Sequence, residues 1–162
     1  VAQLDYCRRS ANPVGRLLLH LFRQDTVETR AWSDSICTGL QLVNFLQDLD
    51  CDYARGRIYL PQDIMQAHGV TEGHIRDGVR DTAWRALLNA EISRARAFLL
   101  TGAPLCAILR GRTGLEIRLT LAGGLTVLGK LQKINATGGS GNGRITFSDW
   151  PRLLWRAFHF GS

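Results

Sequence analysis

The sequence predicts an all-α protein. Apolar residues recur at helical spacing through most of the chain. The alternating pattern of a strand appears nowhere beyond the short run GRIYL at 56–60. The periodic segments are also long enough to pack against one another as a bundle.

The elements follow in chain order. A first helix spans residues 4–22, with Val14, Leu17, Leu18 and Leu21 on one face. Pro13 lies inside it and should kink it. Ser33 is the expected N-cap of a second helix running to about Tyr53. Gly56 and Pro61 bracket a short extended piece, and a short helix over 62–68 ends at Gly69.

Thr71 is the expected cap of a long helix reaching Leu100, buried along Trp84, Leu87, Leu88, Ile92, Ala95 and Leu99. A turn of helix covers 104–110, and another long helix covers 115–134, weakened by Gly123 and Gly124. TGGSGNG at 137–143 reads as a flexible surface loop: it lacks the Lys-Ser/Thr of a phosphate loop and follows no strand. Ser148 to Pro151 opens a last helix with a cap and an early proline.

With 162 residues, 45% hydrophobic and 21% charged, the chain can form one domain with a core. The net charge is +6, carried almost wholly by arginine, which suits a phosphorylated substrate, an acidic membrane surface or nucleic acid. Nucleic acid is disfavoured, because the arginines are dispersed and form no basic stripe with interleaved aromatics. Cys7, Cys37, Cys51 and Cys106 form no CxxC pair and fit a reducing cytosol better than a disulfide scaffold or a zinc site. The longest apolar run, 97–109, is too short for a membrane span and is broken by Gly102 and Pro104. A cytoplasmic protein is expected, with peripheral contact at the inner membrane as an added feature.

The second helix carries the chemistry. At about 100° per residue with Asp48 at zero, Asp52 falls near about +40°, Asn44 about −40° and Gln41 about +20°. Arg55 falls near about −20° if the helix continues, whereas Asp50 falls on the far side at about 200°. Phe45, Leu49 and Leu42 border this polar stripe as an apolar wall. Two carboxylates one turn apart repel, and a hard cation such as Mg²⁺ removes that penalty while recruiting phosphate oxygens. Spacing alone leaves a second reading open, a solvated face with an Asp52–Arg55 surface pair.

The segment QLVNFLQDLDCDYARGRIYLP closely resembles the second aspartate-rich motif of squalene and phytoene synthases. The matching positions are Gln41, Asn44, Asp48, Asp52, Arg55, Gly56, Arg57, Tyr59, Leu60 and Pro61. YCRRSANPVG resembles the family's Tyr-Cys helix, and a looser likeness runs to about Phe158. The resemblance implies an isoprenoid synthase-type helical bundle that ionises a prenyl diphosphate, farnesyl or presqualene, with Mg²⁺. It implies Asn44, Asp48 and Asp52 as metal ligands, with Asp48 and Asp52 catalytic. Gln41, Arg55, Arg57 and Tyr59 become substrate-binding residues, and Tyr6 lines the cavity and assists proton or carbocation handling.

Two features depart from the family pattern. Its first aspartate motif does not precede the second. Asp77 and Asp81 have the right spacing but follow it, and they read as a solvated helix face. The chain therefore reads as the C-terminal part of one domain, and residues 1–162 alone are expected to turn over neither diphosphate. Gln47 replaces a common arginine, and Ala11-Asn12-Pro13 replaces Ala-Gly. Both features resemble the bacterial hopanoid-pathway branch, the HpnC-like squalene or hydroxysqualene synthases, in which water traps the cation without NADPH. Asn12 then has two readings, a water holder or a structural residue bonding backbone freed by Pro13.

The remaining signals have structural readings. His20, His68, His74 and His159 are scattered. Arg8–Arg9 and Arg94–Arg96 read as solvated faces. Trp150, Trp155, Phe158 and Phe160 read as core packing, with a membrane surface as the alternative.

Overall fold

The computed structural model describes residues 2–139 and 141–159; Val1, Ser140 and Phe160, which enter the expectations above, lie outside them, as does the side chain of His159. The described residues are all-α, with no strand. The helices are α1 (Ala2–Ser10), α2 (Asn12–Leu21), α3 (Val27–Gln47), α4 (Leu49–Ala54), α5 (Gln62–Ala67), α6 (Glu72–Arg76), α7 (Thr82–Gly102), α8 (Leu105–Ile108), α9 (Gly111–Thr137) and α10 (Trp150–His159). A 3₁₀ turn, Phe147–Asp149, precedes α10.

The expected first helix is two helices. The chain breaks at Ala11, and Pro13 falls in the first turn of α2, where its missing N–H removes no helical bond. The second helix starts six residues before Ser33. Thr26 caps it: its hydroxyl accepts from the Thr29 N–H at 3.2 Å, while the Thr26 N–H donates to Thr29 Oγ1 at 2.9 Å. Ser33 is instead buried inside α3, facing Gly15 of α2, where an added Cβ would lie 2.6 Å from Cys37 Sγ. Small residues at this crossing let α2 lie close on α3. That helix also ends early, at Asp48, so the continuous run to Tyr53 is corrected.

Thr71 caps only the short α6. Gly78, at φ +64°, ends that segment in a conformation glycine adopts without strain, and Asp81 caps α7 by accepting from the Trp84 N–H at 2.9 Å. Asp77 and Asp81 share no helix face, because α6 ends at Arg76 and α7 begins at Thr82; Asp77 pairs with Arg76 at 2.8 Å. At the other end, Thr146 rather than Ser148 caps the final segment.

α3 and α7 form the central pair, with α9 packed against both. Leu42, Val43 and Leu46 of α3 meet Trp84, Leu87, Ile92 and Leu99 of α7 and Leu121, Leu128 and Leu131 of α9. The α3–α7 contact depends on Gly102, where an added Cβ would meet the Trp32 carbonyl oxygen at 2.5 Å. Of the expected stripe, only Leu88 is not fully buried. The terminal aromatics reverse their expectation: Trp150, Trp155 and Phe158 are 49%, 63% and 68% exposed, while Leu153 and Ala157 make the inner face of α10.

The final segment is pinned by Asp149, which accepts from Lys130 Nζ, from the Thr146 N–H at 2.6 Å and from the Thr146 hydroxyl at 2.8 Å. The Lys130 ammonium, then the Thr146 N–H, lower its carboxyl from the usual 3.8 to about 2. A lowered carboxyl stabilises the fold fully above its unfolded value and loses that contribution as pH falls through the folded value. Stability is thus expected to fall between pH 3.8 and about 2. Acid titration followed by circular dichroism should show a shallower loss over that window in Asp149→Asn.

Candidate functional site

Asn44, Asp48 and Asp52 form a ladder on the α3–α4 edge. The Asp48 N–H donates to the Asn44 carbonyl at 2.9 Å, and the Asp52 N–H donates to the Asp48 carbonyl at 2.7 Å. The four-residue step survives the bend at Asp48, whose φ of −101° and ψ of 11° loosen the helix without reversing it. Asn44 and Asp48 are exposed and Asp52 is half-buried. Among the described residues none of the three side chains has a hydrogen bond or ion pair, so the Asp52–Arg55 surface pair is not formed. Gln41 is half-buried one turn earlier. The ladder stands at the C-terminal end of a 21-residue helix, where the aligned carbonyls add negative potential.

This set fits a hard divalent cation: two carboxylates and an amide oxygen, free of partners and one turn apart. Among the described residues no group of three or more His, Cys, Asp and Glu gathers, so these ligands form one side of a coordination shell.

Arg55 does not continue the helical stripe, because α4 ends at Ala54. It lies in a turn instead. The N–H groups of Arg55 and Arg57 both donate to the Asp52 carbonyl, at 3.0 and 2.9 Å, around Gly56 at φ +72°. Both guanidinium groups are exposed and unpaired among the described residues. The turn thus keeps the Arg55 and Arg57 backbone at the end of the ladder, with both side chains open to solvent.

Tyr59 follows two residues later. Its ring stacks on Phe45 with centroids 4.3 Å apart and planes 17° apart. Tyr6 of α1 tilts against both rings at 5.7 Å and is 44% exposed. The three rings form one cluster that packs on α3, with Phe45 buried and Tyr6 and Tyr59 toward its outer side.

The expected apolar wall is corrected in part. Leu42 and Phe45 are buried in the core, whereas Leu49 lines a cavity together with Asp48. Leu40 and Val43 instead line an open groove of about 390 Å³ with Gly123, Gly124 and Val127 of α9, and Asn44 and Gln47 supply polar groups to it.

A second cavity, about 430 Å³, lies between Asp48, Asp50, Trp84 and residues Gly138, Gly139, Gly141 and Asn142. Asp50 pairs there with Arg80 at 3.1 Å, and Arg80 lies 4.3 Å over the Trp84 ring, which matches its exclusion from the stripe. Gln47 donates to the Asn142 carbonyl at 2.9 Å, so it ties α3 to the glycine loop. Asn12 is buried and accepts from the Thr38 hydroxyl at 3.1 Å. It joins α2 to α3 through a side chain rather than bonding freed backbone.

Sequence reading missed Glu91 and Arg94. Glu91 is 4% exposed on α7, and Arg94 lies 3.5 Å from it. The signal was present: Glu91 falls one turn after Leu87 and one before Ala95, so a carboxylate sits inside the apolar stripe. Arg94 is therefore no part of a solvated face, whereas Arg8 and Arg9 are, both bound to Asp5 at 2.7 and 2.8 Å.

The described residues form an all-α bundle with an acidic ladder at one edge, the architecture of an isoprenoid synthase-type fold. Residues 2–151 match the Squalene/phytoene synthase family, and the chain belongs to that family. The chain is similar to the hydroxysqualene synthase of Rhodopseudomonas palustris, 36% identical over 121 residues, covering 74% of this chain and 41% of the relative. It is also similar to the phytoene synthase of Thermus thermophilus, 31% identical over 153 residues, covering 93% of this chain and 51% of the relative. Squalene synthase HpnC from Alicyclobacillus acidocaldarius superposes with a TM-score of 0.77 at 36% identity, covering 84% of this chain and 51% of that one. The chain thus spans about half the length of these relatives, or less.

Proposed function

We propose that this chain supplies one side of a Mg²⁺–diphosphate site in an enzyme that ionises presqualene diphosphate and delivers hydroxysqualene. The observation that carries this reading is the unpaired Asn44–Asp48–Asp52 ladder, followed by a turn in which the Arg55 and Arg57 N–H groups both bond the Asp52 carbonyl. When bound, Mg²⁺ supplies charge that stabilises the departing diphosphate. Arg55 and Arg57, exposed and unpaired among the described residues, are assigned to hold phosphate oxygens, which guanidinium groups do in bidentate fashion. The carbon–oxygen bond breaks, its electron pair leaves with diphosphate, and water adds to the carbocation and loses a proton. The rings of Tyr6 and Tyr59, backed by the buried Phe45, offer electrostatic support to a cation nearby, and the 44% exposed Tyr6 is the residue assigned to proton handling. The Leu40–Val43 groove suits the hydrocarbon chain.

A second reading, head-to-head joining of two farnesyl groups, is favoured by the likeness to the T. thermophilus phytoene synthase over 93% of the chain. Peripheral membrane contact fits the exposed Trp150, Trp155 and Phe158 with Arg152 on α10. No helix among the described residues is long and apolar enough to cross a membrane.

Calorimetry of the intact protein with a thio-linked farnesyl diphosphate analogue tests the first reading. Binding should weaken at least about tenfold when Mg²⁺ is chelated, a difference of about 1.4 kcal/mol. Mg²⁺-independent binding would overturn it. Product analysis from presqualene diphosphate then separates hydroxysqualene from the products of the second reading.

A further inference from the structure

The candidate site is built on α1, α3 and the 57–60 segment, and the segment has no secondary structure of its own. Something must fix Tyr59 against Phe45. A one-way polar relay does so. Gln3 of α1 donates from Nε2 to the Tyr59 carbonyl at 2.9 Å. Its other end, Oε1, accepts from Arg94 Nη2 of α7. Arg94 in turn lies 3.5 Å from the Glu91 carboxylate, which is 4% exposed.

The chemistry of each group dictates this order. A guanidinium can only donate, so it takes the oxygen of the Gln3 amide. The amide nitrogen is thereby left facing the Tyr59 carbonyl, which can only accept. Glu91 supplies the charge that lets Arg94 stay half-buried, and an uncompensated charge at that depth would be strongly unfavourable. Arg94 Nε–H has no partner among the described residues, so its orientation serves Glu91 and Gln3 and not its own hydrogen-bond satisfaction. Burial pushes the Glu91 carboxyl up and Arg94 pulls it back down, as a facing pair requires.

We propose that Glu91, Arg94 and Gln3 are positioning residues: together they lock the Tyr59 backbone and so set the Tyr6–Phe45–Tyr59 ring cluster, which packs on the α3 helix that leads into the Asp48–Asp52 ladder. None of the three is assigned contact with substrate. Their service to turnover rests on the proposed prenyl diphosphate reading; their grip on the 57–60 segment does not.

Gln3→Met in the intact protein is the mildest probe, since it keeps the length of the side chain and buries no new charge. Amide hydrogen exchange across residues 57–60 should speed by at least about tenfold. The kcat for the prenyl diphosphate should fall about tenfold, with KM and Mg²⁺ half-saturation within about twofold, because the metal ladder is untouched. Arg94→Met should act through the same relay, so the double variant should be no slower than the worse single one. Unchanged exchange in Gln3→Met overturns the proposal, as does unchanged kcat alongside faster exchange, or additive losses in the double variant. If the wild-type protein turns over no prenyl diphosphate, the functional reading fails, and the exchange measurement still decides the relay.

Discussion

Replacing Asp48 by alanine in the intact protein is expected to reduce kcat by about 10²–10³, a loss of about 3–4 kcal/mol of transition-state stabilisation. Asp48 is the middle rung of the ladder, bonded through its backbone to both Asn44 and Asp52. Its side chain is exposed, has no partner among the described residues and caps no helix, so the fold loses little with it. Thermal stability should therefore change by less than about 0.5 kcal/mol, as for an ordinary surface position. The informative control is Asp50→Ala. It removes an equally acidic neighbour two residues away, but one that faces Arg80 at 3.1 Å on the other side of the bend. Turnover in that variant should stay within about threefold, since exposed ion pairs contribute at most about 1 kcal/mol. Equal losses in the two variants would show that general negative charge, not ligation, is at work. Mg²⁺ half-saturation measured alongside should rise only for Asp48→Ala.

The ladder was legible because a four-residue step is a local property of helices, and it persists where the helix itself bends. The apolar period likewise gave the helical class and most of the α7 stripe. The breaks were less legible. Residues 71–100 keep a helical pattern, yet the left-handed backbone at Gly78 and the cap at Asp81 restart the helix. Asp48 interrupts α3 with a backbone change that carries no sequence mark of its own. Ser33 was a fair cap by residue type, but Thr26 and Thr29 satisfy each other reciprocally and Ser33 is needed small, beneath Gly15. Arg55 leaves the helical stripe because the chain turns around the Asp52 carbonyl, and helical phase does not reveal that turn. Glu91 and Arg94 were hidden for a different reason: their partner Gln3 lies 91 residues away from Arg94, and only the packing of α1 on the central pair brings them together. Non-local polar contacts of this kind leave at most one odd residue in an apolar stripe as their sequence trace.

The largest stability effect is expected at Trp84, which ties the core to the site's far side. The residue is 1% exposed and contributes to the shared α3, α7 and α9 core. Its backbone N–H also completes the Asp81 cap, and its ring supports Arg80, which in turn holds Asp50 just past the bend at Asp48. Trp84→Ala should cost about 3–5 kcal/mol through lost burial and the cavity left behind. That is a large share of the roughly 5–15 kcal/mol that holds a typical domain. Trp84→Phe separates packing from polarity. Trp84 Nε1–H is buried without a partner among the described residues, so phenylalanine deletes an unsatisfied donor along with part of the ring. The two effects oppose each other, and the net loss should stay below about 1.5 kcal/mol, as for a conservative core replacement. Urea denaturation of the intact protein reads both values from shifts in midpoint at constant slope. A phenylalanine variant as unstable as the alanine variant would mean that the indole N–H is bonded in solution and that the ring's contribution is polar. A stable alanine variant would mean that the surrounding Leu88, Leu131 and Ile134 collapse onto the vacated volume, closing the cavity they share with Asp48 and Arg80.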